Sequence, residues 1–251
     1  LVGAGPGDPE LLTLRAARLL READVIVHDR LCGEAVLDLA RRDAKRIPVG
    51  KAKGHHPVPQ GAIEAVLIDE ARQGQRVVRL KGGDPFIFGR GGEEVAALRA
   101  AGIAVEVTPG ISAALAAAAS AQIPLTHRDH AQSVTLTTAV ARAGTAPAQL
   151  GEGLSPRAGD HTLAVYMGVA AAQRLRSQLL ASGHSPTLPL AIVENASRED
   201  ERTLYGTLDA LPDLVEKEAV KGPAMLFLGS VVPLGRARAA QGQPLAAAAL
   251  A

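Results

Sequence analysis

Several residues of this chain that could do chemistry stand next to glycines. In Gly82-Gly83-Asp84 one carboxylate follows two residues without side chains. Glycines let backbone approach a ligand closely and reach positive φ, and Pro85 stiffens the turn that follows. Asp29, in His28-Asp29-Arg30, ends the apolar run Val25-Ile-Val27. A carboxylate there suits two jobs, a general base or a cap for a helix opening near Gly33. Lys51 follows Gly50 after Ile47-Pro-Val49. It belongs to a basic stretch of Arg41, Arg42, Lys45, Arg46, Lys51 and Lys53 against one acid, Asp43. Such a stretch reads as a solvated helix end with its linker, or as an anion site. His55-His56 has the ligand type for a metal. Adjacent loop residues diverge, however, and no neighbouring acid or cysteine completes a set, so metal-free chemistry is expected.

These residues need strands to present them. Val77-Val78 reads as a buried strand, and Val95 to Ala101 has helical spacing. The glycines between them therefore lie at the carboxyl end of a strand, where open α/β sheets hold their ligands. Glu93 and Glu94 open the helix and suit its dipole. At the start, Leu1-Val2 reads as a strand end before the loop Gly3 to Pro9. Asp8 is expected to cap a helix with Pro9 at its first position and Leu12, Ala16, Leu19, Leu20 and Ala23 on one face. A helix from Gln60 to Gln73 points Ile63, Val66, Leu67 and Ala71 inward. Gly102 to Gly110 is a further strand and turn, and Ile111-Ser112-Ala113 opens an alanine-rich helix. Pro124 breaks the pattern. The expected organisation is thus an α/β domain over 1–122, a second over 123–235, and a tail that frays after Val232 and covers 236–251. The second half is expected to hold strands at 133–138, 162–167, 190–193, 202–206 and 224–228, with helices at 169–182 and 208–217. No internal repeat is evident.

Composition excludes several classes. Hydrophobic residues make 47% of the chain but aromatics only 2%, so the core is aliphatic and few rings are left to stack bases. Net charge is +1, which offers no global field to a polyanion. No nucleic-acid partner is expected. The single cysteine, Cys32, allows neither an internal disulfide nor a cysteine-only zinc site. It reads as a small, partly buried hydrophobe in a reducing, cytoplasmic setting. No apolar run reaches the roughly 18 residues of a membrane span, so no membrane partner is expected. The first glycine loop is no dinucleotide fingerprint, because the third glycine would fall at Asp8.

Six strings resemble one family. Arg79-Leu-Lys-Gly-Gly-Asp-Pro-Phe-Ile-Phe-Gly-Arg-Gly-Gly-Glu-Glu94 is similar to the signature loop of uroporphyrinogen-III C-methyltransferases, within the tetrapyrrole methylases. Gly3-Ala-Gly-Pro-Gly-Asp-Pro9 with Leu11-Leu-Thr13, Ile123-Pro-Leu-Thr-His-Arg128, and Tyr166-Met-Gly168 with Val193-Glu-Asn-Ala196 resemble further segments of that family. The likeness runs from Leu1 to about Val232. The chain departs from the family where Thr138-Ala139-Val140 stands for Thr-Gly-His, Ala196-Ser197 for Gly-Thr, and His28 for a tyrosine. The 142–160 loop is also longer than expected.

The resemblance implies an α/β, two-domain tetrapyrrole methylase fold with the active site in the interdomain cleft, usually as a homodimer. It implies S-adenosylmethionine bound by Pro6, Gly82, Gly83, Asp84, Ile87, Ser112, Ala113, Met167 and Ala196, largely through backbone. It implies uroporphyrinogen III as substrate, methylated at C2 and C7 to precorrin-2, a precursor of siroheme and cobalamin. An enamine-like ring carbon takes the methyl group, and the cationic ring then sheds a proton. Asp29 matches the family's proton acceptor and Lys51 its proton donor. Arg90 and Arg128 suit the substrate's carboxylates. The rival readings are a same-fold methylase for a later corrin intermediate or a non-tetrapyrrole target, a nicotinamide-dependent oxidoreductase, and a non-catalytic binding module.

Overall fold

A computed structural model describes residues 1–50, 58–140 and 161–239, with side chains to Gly235. Lys51, Lys53, His55-His56 and the 142–160 loop lie outside the described residues. The chain divides into two compact units, Leu1–Ala116 and Ala117–Ala251.

The first unit is a parallel sheet of β1 (Val2–Gly3), β2 (Val25–His28), β3 (Lys45–Pro48) and β4 (Val77–Lys81), in the order β1-β4-β2-β3. Helices α1 (Leu14–Glu22), α2 (Glu34–Leu37), α3 (Gln60–Arg72) and α4 (Gly91–Ala100) connect the strands or follow the last of them. Alternation along each strand sends side chains to opposite faces. Ile26, Val78 and Leu80 join Ala16, Leu20, Val36 and Leu37 in one core. Val25 and Val27 join Ile63, Leu67, Val95 and Leu98 in the other. Aliphatic runs buried on both sides are what a parallel sheet requires. The α3 periodicity holds: Ile63 and Leu67 are buried, and Val66 and Ala71 are half-buried.

Three local expectations for this unit need correction. Asp8 and Pro9 open a 3-10 turn, Pro9–Leu11, in which Asp8 Oδ1 accepts from the Glu10 N–H at 2.8 Å. The α1 helix is capped instead by Thr13, whose Oγ1 accepts from Ala16 N–H at 3.1 Å. Residues 102–110 form no strand. They make a single parallel bridge, Val2 to Thr108, because β1 offers only two residues for pairing. Three of the described residues of the basic stretch are paired. Arg41 pairs with Asp24 at 2.9 Å, Lys45 with Glu70 at 2.5 Å and Arg46 with Asp38 at 3.4 Å, so these three serve as ion pairs, not as an open anion site.

Helix α5 (Ala113–Ser120) starts in the first unit and ends in the second. The second unit is a mixed sheet of β5 (Ser133–Thr138), β6 (His161–Tyr166), β7 (Pro189–Glu194), β8 (Arg202–Thr207) and β9 (Ala224–Leu228), ordered β5-β6-β9-β7-β8. Its core packs Leu163, Val165, Ile192 and Leu226 against Leu175 and Leu179 of α6 (Ala172–Ala181) and Leu211 of α7 (Leu211–Lys217). Within the described residues the chain stays ordered past Val232. Val232–Ala239 forms α8, Val231 and Val232 are buried, and a Cβ on Gly235 would lie 2.6 Å from the Ile123 side chain. Among the described residues no helix is long and apolar enough to cross a membrane.

Glu194, 5% exposed, ends β7 and holds the turn before β9. Its carboxylate accepts from Lys221 N–H at 2.7 Å, Gly222 N–H at 2.8 Å and the Arg202 guanidinium at 2.6 Å. Burial alone pushes this carboxyl up, but these donors outweigh it and hold it below the ordinary glutamate range. A lowered folded value stabilises above the unfolded value and is lost as pH falls through the folded one. Glu194→Gln should therefore cost about 1–3 kcal/mol near pH 7. In urea melts across pH the gap to wild type should close in acid below the ordinary glutamate range; a gap constant with pH would rule this out.

A matched glycine pair tests the packing of the first unit. A Cβ on Gly110 would strike Gly83 O and lie 2.8 Å from Gly3 Cα, whereas one on Gly61 of α3 meets nothing within 4 Å. Gly110→Ala should destabilise by about 1–3 kcal/mol. Gly61→Ala should stabilise by about 0.4–1 kcal/mol. Denaturant midpoints at unchanged slope measure both.

Candidate active site

Because the first sheet is parallel, the carboxyl ends of its strands share one edge. There the loops after β1 and β4 pair: Gly83 N–H donates to Gly5 O at 2.7 Å, and Gly5 N–H to Gly83 O at 3.2 Å. Both glycines are left-handed, with φ of 66° and 67°. A third loop closes on them, since Gly3 and Gly110 approach at backbone distance. Asp84 joins two of these loops: Oδ1 accepts from Phe86 N–H at 2.8 Å and Oδ2 from Gly110 N–H at 3.1 Å. Its carboxylate is engaged within the protein. A Cβ on Gly83 would sit 3.7 Å from Ala113 N and 3.8 Å from Ser112 Cα, so the structure brings Gly83, Ser112 and Ala113 together. This ledge of backbone, which a side chain at Gly83 would cover, fits a ligand held by main-chain contacts. Pro6 follows Gly5 in the same loop, and Ile87 sits half-buried in the turn after Asp84, its N–H donating to Asp84 O at 3.3 Å. Gly82 is occupied otherwise: a Cβ there would come within 2.8 Å of Leu31 Cβ.

Asp29 stands at the end of β2, the strand beside β4, and its N–H donates to Leu80 O at 3.4 Å. Its side chain is no cap. Gly33 precedes α2 without a side-chain bond, and Asp29 Oδ1 accepts instead from Arg79 Nη2 at 2.6 Å. Arg79 and Lys81, which sequence patterning leaves in the loop, belong to β4 and point to the same face. They meet Glu94 of α4, which is fully buried. Arg79 Nε donates to it at 3.1 Å, and Lys81 Nζ reaches both of its oxygens at 3.0 Å. Gln60 adds a bond at 3.3 Å. Glu94 is thus a buried counter-ion, not a dipole-facing surface acid. Burial, and then the neighbouring Arg79, push the Lys81 ammonium down from its ordinary range. Cys32, next to this cluster, is pushed up to about 12 by burial and the Asp29 charge, so its thiol is inert.

The second unit presents its candidates the same way. Register runs Tyr166–Met225–Val193, so β6 and β7 share a direction with β9 reversed between them. β5 runs parallel to β6. Thr138-Ala139-Val140, Met167 and Ala196 therefore leave the same sheet edge. Met167 is left-handed at φ 56° and 47% exposed. Asn195 and Ser197 flank Ala196 with φ of 54° and 64°, a turn fastened by Asp200 and Glu201 through bonds of 2.7 and 2.6 Å.

The two arginines differ. Arg90, itself left-handed, grips Glu93 through two bonds of 2.9 and 2.6 Å. Arg128 stands exposed on the tight turn between His127 and Ala131. Sequence reasoning missed Arg79, Lys81 and Glu94 as a group. The available signal was two cations spaced i, i+2 directly after a valine pair, as in a strand.

The chain matches the family model for tetrapyrrole (corrin/porphyrin) methylases over residues 1–212. It is 50% identical over 234 residues to a siroheme synthase of Ectopseudomonas mendocina, covering 93% of this chain and 50% of that one. It is 52% identical over 252 residues to siroheme synthase 3 of Aeromonas hydrophila, covering 100% and 53%. The chain spans about half the length of the curated relatives it matches. Among solved structures it resembles a uroporphyrin-III C-methyl transferase from Thermus thermophilus complexed with S-adenyl homocysteine. The TM-score is 0.79 at 42% identity, over 93% of this chain and 97% of that one. A cobalt precorrin-4 methyltransferase gives 0.80 at 28% identity, over 92% and 94%. With this α/β architecture and a family match over most of its length, the chain belongs to the tetrapyrrole (corrin/porphyrin) methylases.

Proposed function

We propose that this chain methylates uroporphyrinogen III at C2 and C7, with S-adenosylmethionine as donor, to give precorrin-2. The observation that carries the reading is the adjacency of Asp29, ending β2, to the glycine loop ending β4, within one sheet. The likeness to the Thermus enzyme and the siroheme synthases supports it. S-adenosylmethionine, when bound, supplies an electrophilic sulfonium methyl group. The residues assigned to hold it are Pro6, Gly82, Gly83, Asp84, Ile87, Ser112 and Ala113 of the first unit, and Met167 and Ala196 of the second.

Asp29 accepts the proton that the methylated ring must lose. Arg79 fixes Oδ1, and among the described residues Oδ2 keeps its lone pairs for that proton. Lys51 is the proposed proton donor. Arg90 and Arg128 receive substrate carboxylates by charge-assisted hydrogen bonds. For Arg90 this means exchanging Glu93 for the substrate, at a surface where such pairs are weak. The enzyme is proposed to work in the cytoplasm as a homodimer. A second reading, methylation of a later corrin intermediate, draws on the likeness to the precorrin-4 enzyme. The mass of the product formed from uroporphyrinogen III separates the two.

Gly83→Val should abolish S-adenosylmethionine binding in calorimetry while the circular dichroism spectrum stays native. The new side chain would cover the ledge at Ser112–Ala113 and hold a β-branched residue at φ 67°. Unchanged affinity would remove this loop from the cofactor site.

Asp29→Asn should keep an oxygen for Arg79 but cannot take a proton. Steady-state methylation should fall by roughly 10²- to 10⁴-fold, with cofactor affinity retained. Turnover near the wild-type rate would assign the proton to another group.

A further inference from the structure

We infer that Glu94 is a positioning residue for Asp29: acting through Arg79, it aims that guanidinium at the carboxylate and shares the charge of the two cations beside it. The inference rests on the methyltransferase reading given above. The geometry is a relay of fixed donors. Arg79 is 3% exposed, and each part of its guanidinium has an assigned partner: Nε on Glu94 at 3.1 Å, Nη1 on Val27 O at 3.3 Å and Leu80 O at 2.9 Å, and Nη2 on Asp29 at 2.6 Å. A planar fork held this way cannot swing, so the place of its Nη2 edge is set from the Glu94 side.

Charge gives the second half of the argument. Arg79 and Lys81 from β4 bring two positive charges, and Asp29 and Glu94 bring two negative ones. Without the Glu94 charge, Asp29 alone would answer two buried cations. A carboxylate engaged by both cations is a poorer proton acceptor than one that shares them with a second carboxylate. The other titratable neighbours cannot replace Glu94. Cys32 stays a neutral thiol, being pushed up to about 12, and His28 and Arg30 flank Asp29 along the chain, with His28 Nδ1 3.3 Å from Asp29 O. Glu94 therefore does two things at once, although its side chain reaches no solvent and, through Arg79, stands one residue away from the base.

The test reads Asp29 directly. The Asp29 carboxyl carbon, assigned with Asp29→Asn, is titrated by ¹³C NMR in the full-length wild type, Glu94→Gln and Lys81→Met, and methylation of uroporphyrinogen III is followed in the same samples. Removing the buried negative charge and removing the buried positive charge should move the Asp29 titration in opposite directions. In Glu94→Gln the acid limb of kcat should move with that titration. Its kcat should drop by about tenfold with KM little changed. In an Asp29→Asn background, Glu94→Gln should add no further loss. A folded Glu94→Gln protein whose Asp29 titrates as in wild type overturns the inference. Shifts of the same sign in the two variants, or full multiplication of the losses, overturn it too. Lys81→Met carries the titration arm if Glu94→Gln does not fold. Wild type that shows opposed titration shifts in its variants but no methylation would retire the functional reading and leave the Glu94–Asp29 coupling in place.

Discussion

Arg79 and Lys81 enter the interior of the first unit on one face of β4, and everything around them has to accommodate two charges that water does not reach. Glu94 is the answer from α4, and it is fully buried only because two cations and Gln60 surround it. Removing one partner from such a group leaves a buried charge without compensation, which costs about 3–5 kcal/mol. The same cluster fixes how α4 meets the sheet, and so where the glycine loop between β4 and α4 can lie. Asp29 is the charged member at the surface edge, 29% exposed, where a carboxylate can meet a substrate. Structural neutralisation and the placing of a reactive group are thus one set of contacts.

Around that cluster the backbone leaves little slack. The loops after β1 and β4 and the turn at Gly110 meet at distances that admit no Cβ at Gly3 or Gly110. Asp84 adds two bonds from its carboxylate, which makes it a brace of the loop. In the second unit Glu194 plays the comparable part for the turn before β9, and carboxylates fasten the Ala196 turn. Both units set their candidate segments at the carboxyl edge of same-direction strands, one by an all-parallel sheet and one by a reversed strand between two co-directional ones.

Much of this was legible in the residues. Apart from the strand expected at 102–110 and the helix over Val232–Ala239, strand and helix order followed from period, and Asp29 and the glycine loop stood at strand ends as their apolar lead-ins indicated. What escaped has physical causes. A strand that carries Arg79 and Lys81 breaks the apolar pattern expected of a buried parallel strand, because the charges are cancelled by a helix residue that patterning assigns to the dipole. By position alone Asp29 looked more like a cap than a base, since only the three-dimensional approach of Arg79 separates the roles. Asp8 and Pro9 carried a helix-start signal that produced a 3-10 turn, with Thr13 taking the cap five residues later. The shared edge of β6 and β7 depends on strand pairing, which no local pattern encodes.

Cys32 gives the molecule a property unrelated to turnover. It is the chain's single thiol, packed beside Leu80 and held protonated far above neutral pH. A thiol-specific reagent can then modify the native chain only during excursions that open the segment between β2 and α2. The rate of labelling becomes a clock for those excursions, counted at the foot of the Asp29 loop and nowhere else. A second cysteine placed on an exposed position would take up a dye in seconds against this silent background, so the protein accepts single-site spectroscopic probes without first being stripped of its own sulfur.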